Sequence, residues 1–118
     1  MGARLTFPSS PVILLAGDGA FTFNATDLEC AARQRLPFVA IVADDQAWGI
    51  TRAGHLRHYG QPMASELGPV GFAALAASLG AVGVEAADPA TLESALRQAL
   101  DADRVTVIHA PITGGNPS

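Results

Sequence analysis

The stretch Val12-Ile-Leu-Leu-Ala-Gly-Asp-Gly19 decides the fold, together with Phe38-Val-Ala-Ile-Val-Ala-Asp-Asp45. Each is a short apolar run that ends in acidic residues, and one helix-length segment separates them. Such runs are typical of parallel strands buried on both faces. In a β-α-β unit the strands lie parallel, so their acidic ends meet at one edge of the sheet. The sequence therefore predicts that Asp18 and Asp45 converge on one small, hard cation.

The remainder of the chain continues this alternation of strands and helices. Apolar runs and turn residues predict strands at 12–16, 38–43, 82–84 and 105–110, and helices at 25–35, 72–79 and from Asp88-Pro89 onward. Residues 46–69 show no clean period and are predicted to form a long loop with a helical turn. In the last helix, Leu92, Leu96 and Leu100 make the expected apolar stripe.

This order of elements predicts an α/β fold, a three-layer α/β/α parallel sheet in one domain covering residues 1–118. Ligands of such sheets bind outside the carboxyl ends of the strands. Gly17 and Gly19 flank Asp18 at one such end, where they let the backbone turn and bring amides close to an anion such as phosphate. The alternative is a strand that ends in Asp at a turn with no ligand.

Composition excludes several classes of function. The chain has 118 residues, 49% of them hydrophobic and 15% charged, and a formal net charge of -4. No cluster of Lys or Arg favours nucleic acid as a partner, and no apolar run approaches the roughly 18 to 20 residues of a membrane helix. A lone cysteine, Cys30, excludes a disulfide framework and favours a cytoplasmic location.

The glycine and acid pattern resembles the cofactor signature of the thiamine diphosphate enzymes. Gly17-Asp18-Gly19 is followed, 27 residues after Asp18, by Asp45 and then by Ala47-Trp48-Gly49. The family signature begins with Gly-Asp-Gly and ends in an Asn pair, two variable residues, an aromatic residue and Gly. Further similarities to acetolactate synthase-like members are at Asp27-Leu28, at Leu36-Pro37 and at 66–72. From about Pro11 onward, the chain thus resembles the family's C-terminal diphosphate-binding domain.

The resemblance implies a site for thiamine diphosphate and Mg²⁺. Its cofactor-binding residues would be Gly17, Asp18, Gly19, Ala20, Asp45, Ala47, Trp48 and Gly49. The metal ligands would be the side chains of Asp18 and Asp45 and the backbone carbonyl of Ala47. Gly19 and Ala20 would offer amides to the diphosphate. The alternative role of Trp48 is that of an ordinary core or interface aromatic.

One departure from the family is plain, since its Asn pair is Asp44-Asp45 here. A carboxylate is a competent magnesium ligand, so Asp45 keeps that role, but it adds a negative charge beside an anionic diphosphate. A buried carboxylate without a partner is costly, and no basic partner for Asp44 is obvious from the sequence. The role of Asp44 therefore stays open.

The histidines carry weaker signals. His55 and His58 lie three residues apart and could share a helical face, but two histidines without a third ligand make a weak zinc site. They could instead face substrate or a partner subunit. His109, near the end of the last strand, is predicted to be a hydrogen-bonded structural residue.

The resemblance also implies what the chain lacks. Family members act on 2-oxo acids as lyases or transferases, by decarboxylation or carboligation, and their catalytic Glu comes from a second domain, usually in a facing subunit. Nothing here matches that domain, so the chain is expected to be a truncated domain or a small subunit. It would have no catalytic residue of its own, would act in a homo- or hetero-oligomer and would be inactive alone.

Two alternatives remain beside this interpretation. A receiver-like phosphoacceptor module also clusters acids at the carboxyl edge of a parallel sheet. Such a module should carry a Lys near its end and an acid pair after its first strand, whereas this chain contains no Lys and its pair follows the second strand. The second alternative, an inactive fragment, is not distinguished from a true subunit by sequence.

Overall fold

The computed structural model describes residues 1–113 as an α/β fold, which confirms the predicted fold class. Its strands are β1 (Ile13–Gly17), β2 (Val39–Asp44), β3 (Val82–Glu85) and β4 (Thr106–Pro111). Its helices are α1 (Gly2–Thr6), α2 (Asp18–Thr22), α3 (Asp27–Arg33), α4 (Gly49–Tyr59), α5 (Phe72–Ser78) and α6 (Pro89–Asp101). Residues 114–118, the end of the predicted domain, lie outside the described residues.

The four strands form one parallel sheet in the order β1-β2-β4-β3. Because side chains alternate between the two faces of a strand, the sheet supplies two separate cores. On one face, Val42 and Val107 pack in a cluster with Phe21, Leu28 and Phe72 from helices α2, α3 and α5. On the other, the core consists of Val39, Ala86, Ala95, Ala99 and Ile108, most of the helical part coming from α6. The molecule thus has the predicted three layers.

Strand β3 and helix α5 approach each other unusually closely at Gly83. A Cβ atom built on Gly83 would lie only 1.9 Å from the backbone oxygen of Ala73. No side chain fits in that space, so glycine is required for the two backbones to pack.

The structure corrects the prediction that β1 is buried on both faces. Ile13, Leu14 and Leu15 are exposed, Leu15 at 72% of its surface. The physical reason is position, since β1 is the edge strand and pairs with β2 alone among the described residues. The same apolar pattern did identify buried strands at β2 and β4, whose residues are almost all buried or half-buried.

The predicted loop at 46–69 is also wrong over nearly half of its length, because Gly49–Tyr59 forms the 11-residue helix α4. This helix ends at Gly60, whose φ of 73° is the left-handed conformation common at helix ends. It buries none of its residues. It therefore has no apolar stripe from which its period could be recognised.

The apolar stripe predicted on α6 is only partly correct. Leu92 and Leu96 pack against the core, but the fully buried residues are Ala95 and Ala99. Leu100 is exposed. Within residues 1–113, the structure has no helix with both the length and the apolar character needed to span a bilayer.

Candidate functional site

The acidic ends of β1 and β2 lie at one edge of the sheet, as the sequence predicts. The two strands are parallel neighbours, and Gly17 is paired with Ala43. One residue further along each strand, Asp18 is level with Asp44 rather than with Asp45. Both of these carboxyl groups are buried, with 5% and 6% of their residue surfaces exposed.

Asp44 has a basic partner that sequence reasoning missed. The ring Nε2–H of His109 donates to Oδ2 of Asp44 over 2.8 Å. The backbone N–H of Gln46 donates to the other oxygen, Oδ1, over 2.9 Å. The basic partner of Asp44, which the sequence left open, is His109, and the prediction that His109 is a hydrogen-bonded residue is confirmed.

His109 reaches Asp44 because β4 lies between β2 and β3 in the sheet. Its neighbour on the other side is Glu85, whose Oε2 lies 2.7 Å from Nδ1 of His109. That contact lacks the alignment of a hydrogen bond, so Nδ1 is left without a hydrogen-bond partner among residues 1–113. Asp18, Asp44, His109 and Glu85 thus follow the spatial order of the strands, and we call these four residues the polar row.

The carboxyl groups of the polar row differ in their pKa values. Burial raises the pKa of Asp18 above its ordinary value, the hydrogen bond from the Gly19 N–H opposes this in part, and the neighbouring carboxyl groups of Asp44 and Asp45 raise the pKa further. Burial also disfavours ionised Asp44, but hydrogen bonds from His109 and Gln46 outweigh it and leave the pKa of Asp44 below its ordinary value.

The turn after β2 is held by a short antiparallel bridge between Ala47 and Glu66. Its hydrogen bonds flank the bridge: Trp48 N–H donates to the Ser65 carbonyl over 2.8 Å, and Leu67 N–H donates to the Gln46 carbonyl over 2.7 Å. In this pattern the bridge uses neither the N–H nor the carbonyl of Ala47 itself. The Ala47 carbonyl, predicted as a metal ligand, is left available by the bridge.

Trp48 packs directly on the glycine that follows Asp18. A Cβ atom on Gly19 would lie 3.0 to 3.1 Å from atoms of the Trp48 ring. The same ring lies 5.4 Å, centroid to centroid, from Phe23. Trp48 therefore joins the turn after β2 to the start of α2, which is the packing role named as its alternative.

Asp45 lies beside these groups without forming a ready-made metal cage. A Cβ atom on Gly49 would be 3.1 Å from Oδ2 of Asp45, so glycine at 49 leaves room for that carboxylate. Across the described range 1–113, no three or more His, Cys, Asp or Glu side chains are grouped so as to hold a metal ion by themselves. A cation here would need oxygens from another source.

Comparison with known proteins identifies the family. Residues 1–110 match the family model described as "Thiamine pyrophosphate enzyme, C-terminal TPP binding domain". The chain belongs to this family. The resemblance recognised in the sequence is thereby confirmed, and the receiver-like alternative loses its support.

Relatives of this thiamine pyrophosphate enzyme domain differ in the reactions that their names describe. The chain is 33% identical over 112 residues to acetolactate synthase of Bacillus subtilis, covering 95% of the chain and 20% of that protein. It is 36% identical over 113 residues to benzoylformate decarboxylase of Pseudomonas aeruginosa, covering 94% of the chain and 21% of that protein. The chain therefore spans about a fifth of the length of these relatives.

A solved structure confirms the thiamine pyrophosphate enzyme fold. The thiamine diphosphate-dependent 4-hydroxybenzoylformate decarboxylase of Rhodococcus jostii RHA1 superposes with a TM-score of 0.92 at 28% identity. The match covers 98% of this chain and 22% of that one. The domain described here thus corresponds to one part of a larger enzyme.

Proposed function

We propose that the chain is the diphosphate- and Mg²⁺-binding part of a thiamine diphosphate-dependent 2-oxo acid decarboxylase or carboligase, acetolactate synthase-like in type. In this proposal, Asp18 and Asp45 give carboxylate oxygens to Mg²⁺ and Ala47 gives its backbone carbonyl. Gly19 and Ala20 offer amides to the diphosphate. The observation that carries the proposal is the meeting of the Asp18 turn and the 45–48 turn at one sheet edge, in a chain of this family.

The donors fit a magnesium ion better than a metal held by protein alone. Mg²⁺ demands octahedral oxygen coordination, and it usually combines one or two carboxylates with phosphate and water oxygens. The site offers two carboxylates and one backbone carbonyl that the Ala47 bridge does not use. A divalent cation would also offset the repulsion by which Asp44 and Asp45 raise the pKa of Asp18.

Three further residues support the proposal by shape. Gly17 ends β1 just before the turn, and Gly49 leaves room for the Asp45 carboxylate. Trp48 covers Gly19 and so fixes the distance between the two turns. Thiamine diphosphate, when bound, supplies the chemistry of 2-oxo acid decarboxylation and carboligation, while these residues hold and orient it.

A fluorescence titration tests the proposal, because Trp48 is the single tryptophan of the chain and lies against Gly19. Thiamine diphosphate with Mg²⁺ should change its emission saturably, and EDTA should reverse the change. Asp18→Ala and Asp45→Ala should each weaken binding by about tenfold or more, since each removes a charged ligand. Asp103→Ala, an exposed acid beyond α6, is the matched control and should bind like the unchanged chain.

Two results would contradict this assignment. Equal affinity of Asp45→Ala and Asp103→Ala would remove Asp45 from the site. A complete lack of response to thiamine diphosphate and Mg²⁺ would favour an inactive fragment.

The proposal includes a second domain or subunit that supplies the catalytic Glu, within a cytoplasmic homo- or hetero-oligomer. The exposed apolar residues of β1 support it, since an unpaired apolar edge is commonly covered by other protein. The chain alone is accordingly expected not to turn over 2-oxo acids with thiamine diphosphate and Mg²⁺. Measurable turnover by the purified chain would refute this part.

A further inference from the structure

The polar row contains a histidine that the proposed function leaves unused. His109 lies on β4, one of the two central strands, and only 8% of its surface is exposed. Both ring nitrogens face carboxylates, Nε2 toward Asp44 at 2.8 Å and Nδ1 toward Glu85 at 2.7 Å. The ring also packs edge-on against Phe72, with 5.2 Å between centroids. The ring is therefore held in place on three sides.

Asp44 connects the fixed His109 ring to the turn that follows β2. While Oδ2 accepts from His109, Oδ1 accepts from the N–H of Gln46. Gln46 has a φ of 55°, a left-handed conformation that is strained for a residue with a side chain. The hydrogen bond from Gln46 to Asp44 stabilises that conformation, and a correctly oriented Asp44 is needed to accept it.

The conformation of Gln46 in turn sets the direction of its neighbours. Asp45 precedes it and Ala47 follows it, and these are the two groups of the turn assigned to the metal. The far side of the turn is fixed independently by the bonds to Ser65 and Leu67. The near side of the turn is held by the hydrogen bond from the Gln46 N–H to the buried Asp44 side chain.

We propose that His109 is a positioning residue for the metal-binding turn, acting through its hydrogen bond to Asp44. The inference rests on the proposed function only in its assignment of residues 45–47 as the metal-binding turn. Asp44 places a carboxylate in the buried sheet edge. His109 supplies the donor that keeps this carboxylate oriented toward Gln46.

Two near-isosteric variants separate positioning from simple packing. In His109→Gln the side-chain amide can still donate to Asp44, whereas His109→Met has similar length and no donor. Amide hydrogen exchange is measured at Gln46, whose N–H donates to Asp44, and at Val42 in the middle of β2. His109→Met should speed exchange at Gln46 by about tenfold more than at Val42, and His109→Gln should restore the unchanged pattern.

A control variant and a measurement on the unchanged chain complete the test. Val107→Ala removes core volume on the same face of β4 without touching Asp44, so it should speed exchange uniformly. In the unchanged chain, ¹⁵N spectra of the imidazole should show an Nε2–H proton that is protected from solvent, even if His109→Met does not fold. A uniform effect of His109→Met, no rescue by Gln, or an unprotected Nε2–H would overturn the proposal.

The same variants distinguish this proposal from the proposed function. Titration with thiamine diphosphate and Mg²⁺ should give an affinity about tenfold weaker in His109→Met than in His109→Gln. If the unchanged chain binds and both variants bind equally, the positioning role is refuted while the function stands. If the unchanged chain does not bind but the exchange pattern is as expected, the function fails and the control of the turn by His109 stands.

Discussion

Asp18 and Asp44 lie at the same sheet edge, yet their pKa values move in opposite directions. Burial raises that of Asp18, which has carboxyl groups as neighbours. For Asp44 the effect of burial is outweighed by hydrogen bonds from His109 and Gln46. Hydrogen-bond partners, rather than depth of burial, therefore decide which carboxyl group ionises at the lower pH. That group is Asp44.

These shifts give the pH dependence of stability a definite sign. The folded chain binds a proton at Asp18 more tightly than the unfolded chain, so this group lowers the free energy of unfolding as pH rises above 3.8 through its raised pKa. Asp44 contributes stability that is present above 3.8 and is lost as pH falls through its lowered pKa. Without added metal, Asp18→Asn should thus resist urea better than the unchanged chain near neutral pH. The difference should shrink toward about pH 4, and parallel pH curves would contradict this account.

The contact of Gly19 with Trp48 predicts that adding a single methyl group at position 19 disturbs the packing. Gly19→Ala places a Cβ 3.0 Å from the Trp48 ring, so the ring or the α2 backbone must move. We expect a loss of about 1–3 kcal/mol in the free energy of unfolding, together with a shifted Trp48 emission maximum. Gly54→Ala in α4 is the control, because its Cβ meets nothing within 4 Å and alanine favours a helix. Unchanged emission in Gly19→Ala would show that the ring does not cover that glycine.

Elements whose sequence carries local signals were predicted well. The Asp88-Pro89 start of α6 is confirmed by the Asp88 side chain, which accepts from the Thr91 N–H over 2.8 Å. The apolar runs of β2 and β4 predicted buried strands because helices do cover both of their faces. Helix α4 was missed because it buries nothing, so no apolar period marks it.

The packing of β3 on α5 predicts a severe effect at Gly83. Gly83→Ala would put a Cβ within 1.9 Å of the Ala73 oxygen, a backbone atom that cannot rotate away. Relief requires separating β3 from α5, which should lower the free energy of unfolding by about 3 kcal/mol or more. Thermal melts should compare it with Gly68→Ala, where the added Cβ meets nothing within 4 Å. Equal melting temperatures for the two variants would mean that this close approach does not exist.

The order of the strands in the sheet could not be predicted from the sequence. Chain order suggests that β3 lies next to β2, but β4 lies between them. This non-sequential order is what brings His109, 65 residues away, to Asp44. The motif at Gly17-Asp18-Gly19 could be predicted because it is local, whereas the polar row depends on long-range strand pairing that no local pattern encodes.

The edge of the sheet at β1 predicts how the whole chain behaves in solution. Leu15 and its neighbours expose apolar surface at a strand edge that pairs with no other strand among residues 1–113, which favours association with another chain. The chain alone should therefore self-associate with increasing concentration in sedimentation experiments. Leu15→Lys should shift it toward monomer while changing the free energy of unfolding by no more than about 0.5 kcal/mol, as expected for an exposed site. Gln98→Lys, at an exposed position of α6, is the control because it adds the same single charge. Equal association of the two variants would show that contact between chains does not involve β1.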